Sequence, residues 1–449
     1  MNIISLFSGA GGLDLGFHQA GFNTIWANEY DKEIWETFET NFSNTKLDRR
    51  SIVNIPSSEI PEAIGLIGGP PCQSWSEAGS LRGINDKRGQ LFFEFIRVLR
   101  DKKPLFFLAE NVSGMLASRH SDALENIKNH FKESGYNLSF KLLNASDYGV
   151  AQDRERVFFV GFRNDLDITF KFPKKNHHKK TLKDIIWDLQ DNVSTPDEKN
   201  YTLNSCEVLN HEYMLGGFSS MYMSRNRVRS WDEQSFTIQA GGRHAPLHPQ
   251  APKMEKVGKD KQAFISGYEH LYRRLSIREC ARIQSFPDNH KFCYKNLSAG
   301  YKMVGNAVPP TLAFHLAKEI MEVLKEKLEK KEKEYQQQAE AAVPQIEAAE
   351  KQIADARAKL DAGWQQYNTI KDSEDPKDQA IAAELLKQLN VGEAELKANI
   401  EKLTAMKNQL SEGKIAIEQA KEQLSAGEES LSCALQTIQN GQVQIDTAW

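Results

Sequence analysis

The feature that most constrains this chain is a unit repeated through its first 165 residues: a short apolar run that stops at glycine or a polar cluster, then a helical pattern. Ile3-Ile4-Ser5-Leu6-Phe7 runs into a glycine-rich turn and a helix-like stretch to Ala20. Thr24-Ile25-Trp26-Ala27 follows, and Leu66-Ile67 leads into Gly68-Gly69-Pro70-Pro71. Leu105-Phe106-Phe107-Leu108-Ala109 stops at Glu110-Asn111, and Val157-Phe158-Phe159-Val160-Gly161 is a further run. Alternation of strand and helix specifies an α/β fold with a doubly wound sheet. Ligands on such sheets bind beyond the carboxyl ends of the strands. The polar motifs at those ends are therefore the candidate site.

The pattern divides the chain into four parts. Residues 1–172 carry the alternation. Residues 173–272, rich in Lys, His, Asn, Arg and Pro, are expected to form a smaller, irregular domain of loops and strands. Residues 273–328 return to helical periodicity around Arg278, Ala281 and Ile283, then from Leu312 to Leu324, and are expected to complete the first domain. From 330 to 449 small or apolar residues recur every seven: Leu403, Leu410, Ile417, Leu424, Leu431, Ile438 and Ile445, with Met406, Gly413, Ala420, Gly427, Ala434 and Gly441 three residues on. That is a heptad seam. Ile346, Ile353, Leu360 and Tyr367 share the frame, and Lys371-Asp372-Ser373-Glu374-Asp375-Pro376 breaks it. The expectation is an all-α tail, two long helices folded as an antiparallel coiled-coil hairpin.

Charge follows the same division. Residues 331–449 hold 13 Lys and Arg against 21 Asp and Glu, and residues 1–330 hold 44 against 40. The front is permissive for a polyanion, and the tail would be repelled by DNA. No apolar run reaches the roughly 18 residues of a membrane span, so none is expected. The N-terminus lacks the basic and apolar regions of a signal peptide. The five cysteines, Cys72, Cys206, Cys280, Cys293 and Cys433, form no CxxC pair, which argues against a zinc site or a disulfide framework and fits a reducing cytosol.

Five motifs carry chemistry. Phe7-Ser8-Gly9-Ala10-Gly11-Gly12-Leu13-Asp14 lets backbone approach a bound cofactor. It is neither a dinucleotide fingerprint, because Asp14 holds the last glycine position, nor a phosphate-binding P-loop. Glu29 stands after the second strand, near where an acid holds ribose hydroxyls; an ordinary turn with a surface acid is the bland alternative. In Pro70-Pro71-Cys72-Gln73 two prolines fix the direction of a potential thiolate nucleophile, whereas a lone cysteine is more often inert. The stretch from Glu77 to Gly89 has the turn signals of a lid. Glu110, at a strand end beside the cysteine loop, is either a carboxyl raised to donate a proton or a solvated acid. Arg154 and Arg156 lie two apart, suited to gripping a phosphate or base carbonyl or to a surface ion-pair cluster. Arg225, Arg227 and Arg229 alternate, so an extended strand would present all three on one face, either to guanine and phosphate or to solvent.

In this order the segments closely resemble the DNA (cytosine-5) methyltransferase family over residues 1 to about 328. The specific pieces are Phe7–Gly12, Pro70–Gln73, Glu110–Val112, Gln152–Arg156 and the stretch from Gly300 to Pro309. Arg225–Trp231 and Thr237–Arg243 look like the recognition domain of bacterial restriction-modification methyltransferases that recognise GGCC. The resemblance implies an S-adenosylmethionine-dependent enzyme in the bacterial cytoplasm, acting on double-stranded DNA, yielding S-adenosylhomocysteine and using no metal. A cognate endonuclease would belong to the same system but not be a subunit. Cys72 would attack cytosine C6, Glu110 would contact ring N3 and the exocyclic amine, and Arg154 and Arg156 would support the flipped base. Phe7, Ser8, Gly9, Gly11, Gly12, Glu29, Ser51, Leu91 and Asn306 would surround the cofactor. Arg225, Arg227, Thr237 and Arg243 would contact DNA. Carbon methylation needs the thiol, because C5 becomes nucleophilic only after addition at C6.

The sequence departs from the family at Ser51, where an acid is usual, and at Ile64, also often an acid. A serine hydroxyl accepts more weakly than a carboxylate. The resemblance therefore implies weaker cofactor binding or substitution by Asp48. The tail looks similar to coiled-coil segments of bacterial permease-like membrane-associated proteins, which suggests a fusion; a spacer or self-associating coiled coil is the alternative. An RNA cytosine-5 methyltransferase and an idle DNA-binding scaffold are the competing functions. The arginine-rich domain disfavours the first, and the intact motif positions disfavour the second.

Overall fold

The computed structural model describes the backbone of residues 1–71, 90–202 and 206–447, and the side chains of these up to 422 except Gln90. The apolar runs are strands of one sheet with seven members: β1 (Asn2–Leu6), β2 (Asn23–Asn28), β3 (Lys46–Asp48), β4 (Gly65–Gly68), β5 (Phe106–Val112), β6 (Tyr136–Asn144) and β7 (Glu155–Arg163). Their order is β3-β2-β1-β4-β5-β7-β6. β1 to β5 pair in parallel, and β7 runs antiparallel to β5 and β6. Two strands were not anticipated. β3 is three residues with one apolar side chain, and β6 is an edge strand with much of its surface open, so neither needs an apolar run.

Chain direction across the sheet reverses between β1 and β4. A crevice opens at such a switch point. The glycine loop follows β1, and Pro70-Pro71 follows β4, so both border it.

Alternation along β5 sends neighbouring residues to opposite faces. Phe107 and Ala109 join a cluster with α3 (Gln90–Lys102) and α4 (Ser121–Glu133), through Phe95, Leu99, Ile127 and Phe131. Phe106 instead meets Phe17 of α1 (Gly12–Gln19) and Phe22. α2 (Trp35–Asn41) follows β2.

Beyond β7 the chain is irregular. Among the described residues, α5 (Leu182–Ile186) and a hairpin of β8 (Glu255–Gly258) and β9 (Lys261–Ala263) are its regular elements before α6 (Ile277–Ile283) and α7 (Leu297–Asn306), apart from short 3-10 turns. α8 (Pro310–Ile370) begins by packing on α1: a Cβ at Gly16 would lie 2.4 Å from the Ala313 Cβ. The tail was expected from 330, but α8 runs unbroken through that point, with Pro344 inside it.

Two compact units result. The first includes Met1–Val323, and the second is Leu324–Ser425. In the second, α8 and α9 (Pro376–Thr447) run antiparallel. Lys407 pairs with Glu350 at 2.6 Å, and Tyr335 Oη donates to the Leu410 carbonyl at 2.9 Å. A Cβ at Gly363 would lie 2.7 Å from Leu389 Cδ2, and one at Gly392 would lie 2.8 Å from Leu360 Cδ2. These glycines let the helices approach closely. The heptad positions 403, 406, 410, 413, 417 and 420 are half-buried between exposed neighbours, since two helices alone cover one stripe.

Candidate active site

The glycine loop turns sharply out of β1. Phe7 and Gly9 both have φ of 56°, and Gly11 has 78°. Two of its glycines serve different ends. A Cβ at Gly11 would stand 2.1 Å from Phe42 Cε2, whereas one at Gly9 meets nothing within 4 Å. Gly11 is needed for packing; Gly9 leaves an open face. A Cβ at Gly12 would stand 2.3 Å from the Val308 carbonyl oxygen, which brings α1 against the turn after α7.

Glu29, just past β2, accepts from the Gly9 N–H at 3.0 Å and the Asp31 N–H at 2.7 Å. Burial raises its carboxyl above the ordinary value despite these bonds. The Trp35 indole N–H donates to the Glu29 carbonyl at 2.8 Å. Ser8 Oγ is buried with no hydrogen-bond partner, an orphan that a bound polar ligand would satisfy. An open glycine face, an acid and an unspent hydroxyl fit a nucleoside cofactor. Phe7 and Leu91 are half-buried against the same core cluster. Asn306 is exposed at the end of α7.

Ser51 is half-buried at the start of a 3-10 turn. The Asn28 amide ties this segment to β2 by donating to the carbonyls of Asp48 (3.0 Å) and Arg50 (2.8 Å). Asp48 does not stand in as a free acid. Its carboxylate pairs with Arg50 at 2.7 Å, which holds it below the usual carboxylate range.

The second half of the site lies at the ends of β4 and β5. Cys72 and the lid stretch 77–89 lie outside the described residues. Their immediate approach is described. The Asn111 amide donates to the Pro70 carbonyl at 3.2 Å, and a Cβ at Gly69 would come within 3.1 Å of Glu110 Oε2. Glu110 is buried, and its Oε1 is 3.0 Å from Arg156 Nε. Burial raises the Glu110 carboxyl, while the guanidiniums of Arg156 and Arg154 pull it down. Val112 of β5 pairs with Arg156 of β7. Because β7 is antiparallel, its amino end reaches the edge where the parallel strands finish. That is why a motif preceding a strand meets motifs that follow strands.

Arg154 does something different from Arg156. It is 1% exposed and donates to the carbonyls of Ile238 (3.1 Å), Gly305 (2.9 Å) and Ala307 (2.9 Å). Gln152 joins in, its Oε1 accepting from the Ile238 N–H at 2.9 Å. The expectation that both arginines support a base therefore divides. Arg154 is a buried tie between the start of β7, the 238 loop and the end of α7.

The alternating arginines do not share a strand face. Tyr222–Ser224 is a 3-10 turn. Arg227 is buried, donating to the Tyr222 and Met221 carbonyls at 2.8 and 3.2 Å, with its guanidinium over the Tyr222 ring. Arg229 pairs with Glu233 at 3.2 Å and Asp153 at 3.5 Å. Arg225, Thr237 and Arg243 are exposed. Thr237 donates to the Asp153 carbonyl at 2.5 Å.

One network escaped the sequence reading. Glu279, fully buried, accepts two bonds from Arg273 (2.7 and 2.8 Å) and one from the Ser276 N–H (2.7 Å). His248 Nε2 stands 3.4 Å away, and His211 Nδ1 lies 2.7 Å from Ser276 Oγ. The Ser276-x-x-Glu279 capping box was its legible signal.

Fold and site together define a class: an α/β methyltransferase dependent on S-adenosylmethionine, with an acid–arginine pair beside its second loop. The profile of the C-5 cytosine-specific DNA methylases matches residues 1–322, and the chain belongs to that family. It is 60% identical over 341 residues to the Type II methyltransferase M.FnuDI of Fusobacterium nucleatum, covering 75% of this chain and 98% of that one. M.NgoPII of Neisseria gonorrhoeae is 57% identical over 329 residues, covering 72% and 96%. The solved structure of the Entamoeba histolytica methyltransferase EhMeth shares the fold at a TM-score of 0.54 and 16% identity, covering 72% of this chain and 98% of that one. The enzyme is thus a C5 cytosine DNA methyltransferase of the restriction-modification type, with S-adenosylmethionine as methyl donor and DNA as substrate. These matches lend nothing to the permease likeness of the tail. No helix among the described residues is long and apolar enough to cross a membrane. No group of three or more His, Cys, Asp or Glu among them could hold a metal.

Proposed function

We propose that the chain methylates a cytosine flipped out of a short duplex site, GGCC, and protects that site from a separate cognate endonuclease in a bacterial cytoplasm. The observation that carries the reading is the buried Glu110–Arg156 pair at 3.0 Å, set against the backbone that leads into Cys72. A duplex hides cytosine C6, so the base must leave the stack. The Cys72 thiolate adds to C6, and the bond electrons move to C5. Glu110 binds ring N3 and the exocyclic amine, stabilising the adduct, and Arg156 fixes the carboxylate. S-adenosylmethionine supplies the methyl group that C5 takes, its S–CH3 bond breaking with the electron pair kept on sulfur to leave S-adenosylhomocysteine. C5 then loses its proton, and Cys72 leaves C6 as thiolate.

Gly9, Glu29 and Ser8 hold the cofactor, with Phe7, Gly11, Gly12, Leu91, Ser51 and Asn306 around it. Arg154 acts by position, fixing the loops on either side. Arg225, Thr237 and Arg243 face the DNA, and Arg227 supports them from below. Residues 1–172 and 273–328 carry catalysis, 173–272 carry recognition, and the tail from 330 is an appended spacer that self-associates. Bisulfite sequencing of plasmid DNA from cells expressing the chain tests the site: protected cytosines confined to one position of GGCC are expected. Protection elsewhere removes the GGCC assignment, and none at all removes the proposed reaction.

A further inference from the structure

A cavity of about 810 Å³ lies between the loop at 214–217, the segment 199–201 and the start of α7. Lys199, Arg243 and His244 line it, and among the described residues no carboxylate does. Asp197, two residues from Lys199, is spent on the backbone N–H groups of Lys199 (3.0 Å) and Tyr201 (2.8 Å). Among the described residues neither Lys199 nor Arg243 has an ion-pair partner.

The wall behind the cavity is also cationic. Arg274 is 3% exposed and donates only to carbonyls, those of Gly216 (2.9 Å), Gly217 (2.9 Å) and Met214 (3.3 Å), with Phe218 beneath its guanidinium. Its Nε has no partner. A buried charge is ordinarily paired with an opposite one. Arg243 is near enough to disfavour the Arg274 charge further. Gly217 has neither a positive φ nor a neighbour within 4 Å of a would-be Cβ, so its face is open and a ligand can approach the backbone there closely. Ser298, exposed in the first turn of the ten-residue α7, adds a hydroxyl at a helix N-terminus.

We infer that this cavity seats a backbone phosphate of the DNA, held by Lys199, His244 and Ser298 and backed by Arg274, beside the bases that Arg243 faces. The inference rests on the DNA-modifying function proposed above and adds residues that no motif marked. A phosphate supplies the missing negative charge without carrying sequence information, so the seat fixes register and not specificity.

The test uses the full chain and measures affinity for a GGCC duplex and an unrelated duplex across a range of KCl. Lys199→Gln is expected to weaken both equally and to make the slope of log K against log salt shallower by about 0.9, one phosphate contact. Affinity for S-adenosylmethionine and turnover at saturating DNA stay unchanged. A methylphosphonate scan of the duplex locates the contact: at one position the neutral linkage weakens the wild type more than it weakens Lys199→Gln. Lys199→Glu and Ser298→Asp guard against a silent Gln variant, since each puts negative charge in the seat and weakens both duplexes further. If all three variants match the wild type in affinity and slope, the seat is wrong while the proposed function stands. A wild-type chain that binds no duplex overturns both.

Discussion

The sheet and the stretch from 173 to 272 hold their shapes by different means. In the sheet, backbone ladders satisfy the polar groups and phenylalanines fill both faces. In the later stretch few ladders exist among the described residues, and guanidinium groups satisfy the carbonyls instead. Arg227 serves Met221 and Tyr222, Arg274 serves Met214, Gly216 and Gly217, and Arg278 serves Leu209. Backbone carbonyls removed from water must find donors, and arginine offers five on a long stem. An arginine in such a stretch can thus be masonry, and side-chain exposure is expected to separate these from the ones proposed to face DNA.

The sharpest break would come from the sheet side, at the cysteine loop. Cys72→Ser is expected to abolish methyl transfer to duplex DNA, measured with tritiated donor, while DNA binding survives. Full activity in that variant would remove the thiol from the reaction. Next, Arg154→Ala strands three buried carbonyls and is expected to cost roughly 3–5 kcal/mol of stability in urea titrations, since each unsatisfied buried group costs about 1–3 kcal/mol. Arg154→Lys should recover little, as one ammonium does not span the three acceptors.

Within residues 173–272, Arg227→Ala should lower the urea midpoint by roughly 2–3 kcal/mol of stability, as for a lost buried group. Arg225→Ala should leave the midpoint alone and cost roughly 1–3 kcal/mol of discrimination if it reads a base. An equal loss on every duplex, with a shallower salt slope, would assign Arg225 to phosphate instead. If Arg227→Ala is stable and Arg225→Ala is not, the division by exposure is wrong.

The buried histidine network gives the region a pH signature. Burial lowers His248 to about 4 and lowers His211 as well. Groups kept neutral when folded bind protons in the unfolded chain first. Stability is therefore full above about pH 6.5 and falls as pH drops toward 4. Glu279, lowered to about 2 chiefly by Arg273 against its own burial, acts in the same direction at lower pH. By pH 5.5 His248 alone should cost on the order of 1 kcal/mol, and His248→Gln should remove about that much of the fall in stability between pH 7.5 and 5.5, the rest remaining with His211 and His290. A midpoint independent of pH there would contradict the buried neutral imidazole. The smallest effect belongs to the tail: ending the chain after residue 330 should leave methylation within about twofold, below the roughly 1.4 kcal/mol of a tenfold change.

Much of the sheet was legible because an apolar run ending in glycine or a carboxylate declares both a strand and its functional end. β3 and β6 escaped because a short or edge strand needs no apolar run. The placement of Glu29 just past β2 and of Glu110 near the carboxyl end of β5 was legible for the same local reason, since each follows an apolar run. The role of Arg154 was not, because its carbonyl partners at 305 and 307 lie 151 and 153 residues away. Alternation of Arg225, Arg227 and Arg229 misled because it presumes a strand, and Tyr222–Ser224 begins that segment with a turn. The hairpin of the tail was legible from period and breaker alone, though its continuity with α8 was not.

The most direct measurement of the central claim is covalent capture. The chain is incubated with methyl donor and an oligonucleotide carrying 5-fluorocytosine in a GGCC site, where C5 has no proton to lose. A species that survives denaturation, with the nucleotide mapped to Cys72 by peptide mass, is the predicted result. No adduct, or an adduct at another residue, contradicts it.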